Sequence, residues 1–265
     1  MNNKIIVLFA LAFTLNITAQ EDIEAKDYGT ISTDRPDQTE ASSLVPKKFL
    51  QIETGSFYET LEVNSIKSKA TTFNTTLVRY GLLDNLELRL GFDFTEITNE
   101  FNGRNLNDKL SGFSPLLLGV KIGITEEKGF LPEMAFIGHI NLHSLASTDF
   151  KTKSTSTDFR FSLSHTLSEK SSLGYNLGMA WDGDITTAIY LYTLAYGYNF
   201  TDKIGGFVEL YGNIYEDSNF DHLWDVGFTY LLDDNIQLDI SGGTGITQNI
   251  QDLFLSAGIS ISIPE

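Results

Sequence analysis

The chain has no cysteine among its 265 residues, only 5 prolines, and 18 lysines and arginines against 35 aspartates and glutamates. Without cysteine there is no disulfide framework, no thiolate metal site, no cysteine nucleophile and no lipidated N-terminal cysteine. A formal net charge of −17 repels nucleic acid and removes DNA and RNA from the set of partners. Long apolar runs are also missing. The mean hydropathy of −0.07 leaves no room for a bundle of transmembrane helices. What is present is unusual for a soluble enzyme: 42% hydrophobic residues, with 22 Gly, 19 Phe and 11 Tyr.

Residues 1–19 read as an export signal. Lys4 supplies the positive start, Ile5 to Leu15 is an apolar stretch too short to cross a bilayer, and Ala19 offers a cleavage point. Residues 20–47 are polar and precede the first strand. Residues 48–265 are patterned with period 2 almost throughout. Leu86, Leu88, Leu90, Phe92 and Phe94 alternate with Glu87, Arg89, Gly91 and Asp93; Leu253, Leu255, Ala257, Ile259 and Ile261 alternate with Phe254, Ser256, Gly258 and Ser260. Twelve such segments run at about 48–59, 71–81, 86–97, 113–125, 133–146, 157–167, 172–182, 187–200, 204–216, 222–232, 236–246 and 252–263.

Each segment is long enough for a tilted membrane-crossing strand, which needs about 9–11 residues, whereas strands of soluble proteins average about 5–6. One face is large and apolar. The other carries Gly, Ser, Thr, Asn and charges, poor material for a dry core. The reading is all-β: a transmembrane antiparallel β-barrel of about 12 strands in the outer membrane, apolar toward lipid and polar toward the lumen. Short periplasmic turns are marked by an aromatic four residues before an acid, as in Tyr80 and Asp84, Tyr198 and Asp202, and Tyr230 and Asp234. Longer polar gaps at about 60–70, 98–112 and 147–156 are expected as extracellular loops. The competing architecture, an exported β-sandwich or lipocalin-like barrel, would leave rows of Gly on its exterior.

The run Ser32 to Glu40 (STDRPDQTE), followed by Leu44 to Gly55 (LVPKKFLQIETG), resembles outer-membrane proteins of the "MetA-pathway of phenol degradation" family. Tyr80 to Arg89, Phe207 to Gly212 and Phe254 to Gly258 are similar to it as well. The resemblance spans about residues 30–263. It implies an outer-membrane channel for small molecules, aromatic or hydrophobic ones among them. The ending Ile261-Ser262-Ile263-Pro264-Glu265 departs from the terminal aromatic that commonly addresses such barrels to the assembly machinery.

The lumen face is expected to carry Glu53, Glu87, Asp93, Asp182, Glu209, Asp225 and Asp239, with Arg79, Arg89, Lys121 and Arg160 as counter-charges. Arg35, in the dense run around Pro36, is expected to pair with lumen carboxylates if residues 20–47 fold into the barrel as a plug; a periplasmic tail is the other reading. The facing charges either polarise an open pore, favouring cations and neutral solutes over anions, or fill a narrow one and leave a structural protein with an occluded lumen. Catalysis finds little support. His139 and His143 are about 13 Å apart along a strand, Ser144 faces away from His143, and neither GxSxG nor HExxH occurs. Gly242 to Gly245 lacks the helix and lysine of a phosphate loop. The aromatics Tyr190, Tyr192, Tyr196, Tyr198, Phe200, Tyr211, Tyr215, Phe228 and Tyr230 read as membrane-edge girdles. No enzyme activity, cofactor or metal is expected. The partners are outer-membrane lipid, the barrel-assembly machinery and small-molecule solutes.

Overall fold

A computed structural model describes residues 29–216, 220–247 and 253–265; the export signal lies outside these residues. Thirteen strands form one sheet: β1 (Phe49–Val63), β2 (Ile66–Leu83), β3 (Leu86–Phe101), β4 (Arg104–Phe113), β5 (Leu116–Thr125), β6 (Glu133–Leu142), β7 (Ser156–Ser168), β8 (Ser171–Trp181), β9 (Ile189–Asn199), β10 (Ile204–Tyr215), β11 (Asp221–Asp233), β12 (Ile236–Gly245) and β13 (Leu253–Pro264). Every neighbour pair is antiparallel. β13 returns to pair with β1, from Phe49 opposite Pro264 to Thr60 opposite Leu253, so the sheet closes on itself.

The closed barrel has twelve staves because β4 and β5 share one. β4 pairs with β3 from Phe94 outward, and β5 pairs with β3 from Gly91 inward. The stave breaks at Ser114-Pro115, where proline has no N–H to give the ladder; Ser114 N–H bonds Asp93 O at 3.1 Å instead. A single strand over 113–125 was expected here, and the proline explains the difference.

The stretches 60–70 and 98–112 are not loops. Both continue as strands to two-residue turns at Asn64-Ser65 and Asn102-Gly103, all four residues at positive φ, as hairpin turns of this twist require. Polar cross-strand pairs extend these hairpins: Lys69 to Glu100 at 2.6 Å, Ser68 to Asn99 at 2.7 Å and Thr72 to Thr95 at 2.8 Å. Alternation in hydropathy was absent there because both faces meet water. β6 also stops earlier than the pattern suggested, and His143–Leu145 and Thr148–Phe150 form short 3-10 turns.

Burial is inverted relative to a soluble domain. Among the described residues, 23 polar or charged residues are buried but only five hydrophobic ones, Val45, Ala135, Ile137, Ala195 and Phe254. Along β3, Glu87 and Arg89 are closed off, whereas Leu88 and Leu90 are 40% and 36% exposed on the outer face. The start of β1 and the end of β13 meet at one end of the barrel, where Glu265 N–H bonds Lys48 O at 2.8 Å.

Truncation after Gly245 tests closure. Without β13, β1 and β12 each keep an unpaired edge, which hydrocarbon does not tolerate. The truncated chain is expected to lose the folded, heat-modifiable band that the full chain shows on unboiled gels.

Candidate functional site

Immediately before β1, residues 29–48 turn into the barrel. A stretch with Asp34, Arg35, Asp37 and Glu40 can enter an interior only where each charge meets a partner. The wall supplies them.

Asp34 lies 6% exposed among three bases: Arg89 at 2.8 Å, Lys121 at 3.2 Å and Arg79 at 3.5 Å. Burial alone would push its carboxyl above the usual carboxylate range, but the charges of Arg79, Lys121 and Arg89 outweigh it and hold the carboxyl well below that range. Glu53 accepts the backbone N–H groups of Asp34 and Arg35 at 2.9 and 3.1 Å, and its other oxygen accepts Arg79 and Gln51, both at 2.8 Å. Arg79 forks onto Glu87 at 2.8 and 2.9 Å, and Glu87 also accepts Arg89 at 3.0 Å and the Val45 N–H at 2.9 Å. The Lys121 ammonium further donates to Ala41 O and Ser43 O at 2.9 and 3.3 Å. This network draws β1, β2, β3 and β5 onto one side of the segment.

The segment then crosses the lumen. Arg35 binds Asp239 on β12 through two nitrogens, at 2.9 and 3.2 Å, and reaches Ser256 at 2.9 Å and Thr75 at 3.0 Å. Its guanidinium lies against Gly55 and Gly258, a cross-strand pair; a Cβ on either would sit about 2.5 Å from it or closer. Gln38 N–H and Thr39 Oγ1 donate to Glu209 on β10 at 2.7 and 2.5 Å. Glu40 accepts Arg89 at 2.9 Å and pairs with Arg160 at 3.4 Å. Its backbone is held by Asn176 and Ser162. Ser42 donates to Glu133 at 2.5 Å.

Of the charged residues expected at the lumen, Glu53, Arg79, Glu87, Arg89, Lys121, Glu209, Asp225 and Asp239 are closed off from solvent inside the barrel, Arg35, Asp93 and Arg160 border the larger of two cavities, and Asp182 is exposed just past the end of β8. Arg79, although it shares its face with Leu77, is fully buried at the centre of the network. Asp182 sits at the end of β8, where it accepts the N–H groups of Asp184 and Ile185 at 2.8 and 2.9 Å. Gln51, Glu133, Ser162, Asn176 and Thr193 also hold the segment. Each falls on the polar face of its strand, but spacing carries no signal for which of them the segment touches.

Two cavities flank the segment. One of about 630 Å³ opens toward the long loops and is lined by Leu77, Phe92, Pro115 and Leu117 as well as Asp93, Asp182, His139 and Arg160. The other, about 370 Å³, lies toward the tight turns beside Lys170, Asn199 and Thr229. Arg35 and Asp37 border both, so the chain at this point is the partition between them. Arg35, Arg89 and Arg160 are each paired to carboxylates, whereas no described base forms an ion pair with Asp93 or Asp182.

His139 Nδ1 lies 3.1 Å from Asp158, and His143 has left the strand for a 3-10 turn, with its Nδ1 3.1 Å from Thr155. Tyrosine hydroxyls lie against two further histidines, Tyr192 2.6 Å from His222 and Tyr175 3.3 Å from His165, and no three His, Asp or Glu among the described residues are placed to hold a metal ion. Gly242 to Gly245 are ladder positions of β12. Tyr190, Tyr196, Tyr198, Phe200, Phe228 and Tyr230 face outward; Tyr211 shares the inward face of Glu209 and is an exception to the girdle reading.

Arg79 carries the tightest test. Removing one partner of a buried ionic network costs about 3–5 kcal/mol, because the remaining charges stay buried. Arg79→Ala is expected to lower the temperature at which the folded gel band is lost, and Gly258→Val, which displaces Arg35 without touching Arg79, to lower it less.

A family model described as "Putative MetA-pathway of phenol degradation" matches residues 33–263. No curated protein sequence matches the chain. Among solved structures, the COG4313 outer membrane channel from Pseudomonas putida F1 is similar over 86% of this chain and 99% of its own, with a TM-score of 0.63 and 14% identity. The KdgM porin covers 81% of this chain and 99% of its own at TM-score 0.52 and 10% identity. The NanC porin covers 80% and 98% at TM-score 0.51 and 10% identity. These neighbours are channels and porins, and they share the closed antiparallel barrel of this chain. The chain is an outer-membrane β-barrel with the fold of a channel, and it belongs to the family of the MetA pathway of phenol degradation.

Proposed function

We propose that the protein passes small solutes across the outer membrane by diffusion, and that residues 29–47 act as a plug that sets the width of the path. The observation that supports this reading is the pair of cavities with a single partition at Arg35 to Asp37. A lumen filled from end to end, as in the smallest barrels, would have no such chambers. Residues 1–19 serve as the export signal, the outer apolar faces meet lipid, and the last strand presents the chain to the assembly machinery.

Selectivity follows from the charge balance of the outer chamber. Its arginines are consumed by carboxylates, whereas Asp93 and Asp182 are not. The residual potential is negative, so cations and neutral solutes are favoured over anions. Leu77, Pro115 and Leu117 form an apolar patch on which the flat face of an aromatic solute can lie. No covalent chemistry and no cofactor enter the mechanism. The competing reading, a structural barrel with an occluded lumen, draws on the same plug and differs only in whether solute passes it.

Conductance in planar bilayers and solute entry into liposomes separate the two readings. Measurable conductance with a cation-selective reversal potential in a salt gradient supports the channel; no current and no swelling with any solute overturns it. Asp93→Asn combined with Asp182→Asn is expected to shift the reversal potential toward zero with the barrel intact.

A further inference from the structure

The two sides of the plug are held by different chemistry. Toward β1, β2, β3 and β5, the carboxylates that hold the plug, Glu53 and Glu87, face the bases Arg79 and Arg89. Toward β10 and β11 there is no such base among the described residues. Glu209 on β10 and Asp225 on β11 stand directly opposite each other in the ladder, where Cβ atoms are about 4.5–5.5 Å apart. Both are closed off from solvent, at 1% and 0% exposure. Glu209 accepts the N–H of Gln38 and the hydroxyl of Thr39. No described N–H or hydroxyl donates to Asp225, and its carboxyl can bond the Glu209 carboxyl only with a proton held between them. No lysine or arginine among the described residues pairs with either acid.

Asp37 brings a third carboxyl from the plug itself: it directly precedes Gln38, whose N–H bonds Glu209, and it borders both chambers. Burial, then the charge of Glu209, pushes its acid range well above the ordinary one. The other charged or titratable groups facing the cluster are Asp34 on the plug, Glu59 on β1 and the Tyr211 phenol on β10. Asp239 on β12 is taken up by Arg35, and β9 contributes only the neutral Thr193. A buried carboxylate with neither base nor donor escapes its cost by holding a proton, and adjacent carboxyls titrate as one unit.

We propose that Asp37, Glu209 and Asp225 form a proton-linked latch on the plug. With a proton held in the cluster, Glu209 grips Gln38 and Thr39 and the partition stands. When that proton leaves to solvent, the carboxylates repel one another, the stretch 37–39 comes away from β10, and the two chambers join. The sign follows from Asp37: a group whose docked form favours the proton stabilises docking at low pH and loses that contribution as pH rises. The latch rests on reading the plug as the partition of a solute path.

The test uses the absence of cysteine. In the full refolded chain, Gln38→Cys carries a nitroxide label; the Gln38 backbone, not its side chain, makes the latch contact. Label mobility is followed from about pH 6.5 to about pH 9.5, a span that covers the raised range of buried carboxyls. Mobility is expected to rise across this window and to stay low when Asp225→Asn is added. Glu209→Gln, which keeps an acceptor oxygen, is the second background should Asp225→Asn fail to give a folded gel band. Conductance of the unlabelled chain is expected to rise several-fold over the same window and to be flat in the neutral variants. A label indifferent to pH, or one that responds equally with the acids removed, overturns the latch. A pH-dependent label without any conductance overturns the channel reading and leaves the latch standing.

Discussion

Hydrocarbon offers no hydrogen bonds, and that constraint organises the whole molecule. Each peptide group at membrane depth must find its partner in the chain, so the sheet has to close, and β13 must meet β1. Closure turns one face of every strand outward and the other inward. The outward face can only be apolar. The inward face is then too confined to be ordinary solvent and too polar to be an ordinary core. Arg79, Lys121, Glu53 and Glu87, all fully buried, are the result. The one defect in the wall, at Ser114-Pro115, is bridged by Ser114 bonding back to Asp93, so that even the broken stave keeps its neighbour.

Charge in so narrow a space needs neutralising at short range, and the wall does not manage it alone. Arg79 and Glu87 satisfy each other, but Arg89 and Lys121 complete their partnerships only with Asp34, Glu40 and the carbonyls of Ala41 and Ser43. Plug and wall are thus a single electrostatic unit on that side. Across the lumen the balance reverses: acids predominate, and neutral hydroxyls and amides of Thr39, Thr193 and Asn176 do the holding. The plug is pinned by a dense ionic network at one flank and at the other by hydrogen bonds together with the separate Arg35–Asp239 and Glu40–Arg160 pairs.

The barrel was legible in the sequence because period-2 alternation is a local signal. Leu86 to Phe94 displays both faces within nine residues. The same signal failed at 98–112, where Phe101, Leu106 and Leu110 are scattered among polar residues on hairpins open to water, and at 113–125, where it ran through Pro115. Pleat also decides which side of a strand a charge takes, and it puts Arg79 inside, whereas Asp182 lies exposed past the end of β8, where pleat no longer governs. What the pattern does not carry is which inward residue meets which part of the plug. Arg35 reaches Asp239 and Ser256 because Gly55 and Gly258 leave a groove for its guanidinium, and that is a property of strand register around a closed ring. The run from Asp34 to Glu40 announced itself as unusual through its charge density, yet its destination was set by twelve staves together.

The contact between Arg35 and Ser256 joins residues 221 positions apart, and that between Arg35 and Asp239 joins residues 204 apart. The groove that receives this side chain is half β1 and half β13. Residues that emerge first from synthesis therefore have no berth until the final strand has been laid down and the ring has shut. Through assembly, a peptide bearing Asp34, Arg35, Asp37 and Glu40 has to stay extended and hydrated, which its composition favours, while the wall is built around a lumen whose bases still lack their counter-ions. Separations of this size make for slow assembly. They also order it: the barrel comes first, and its occupant comes last.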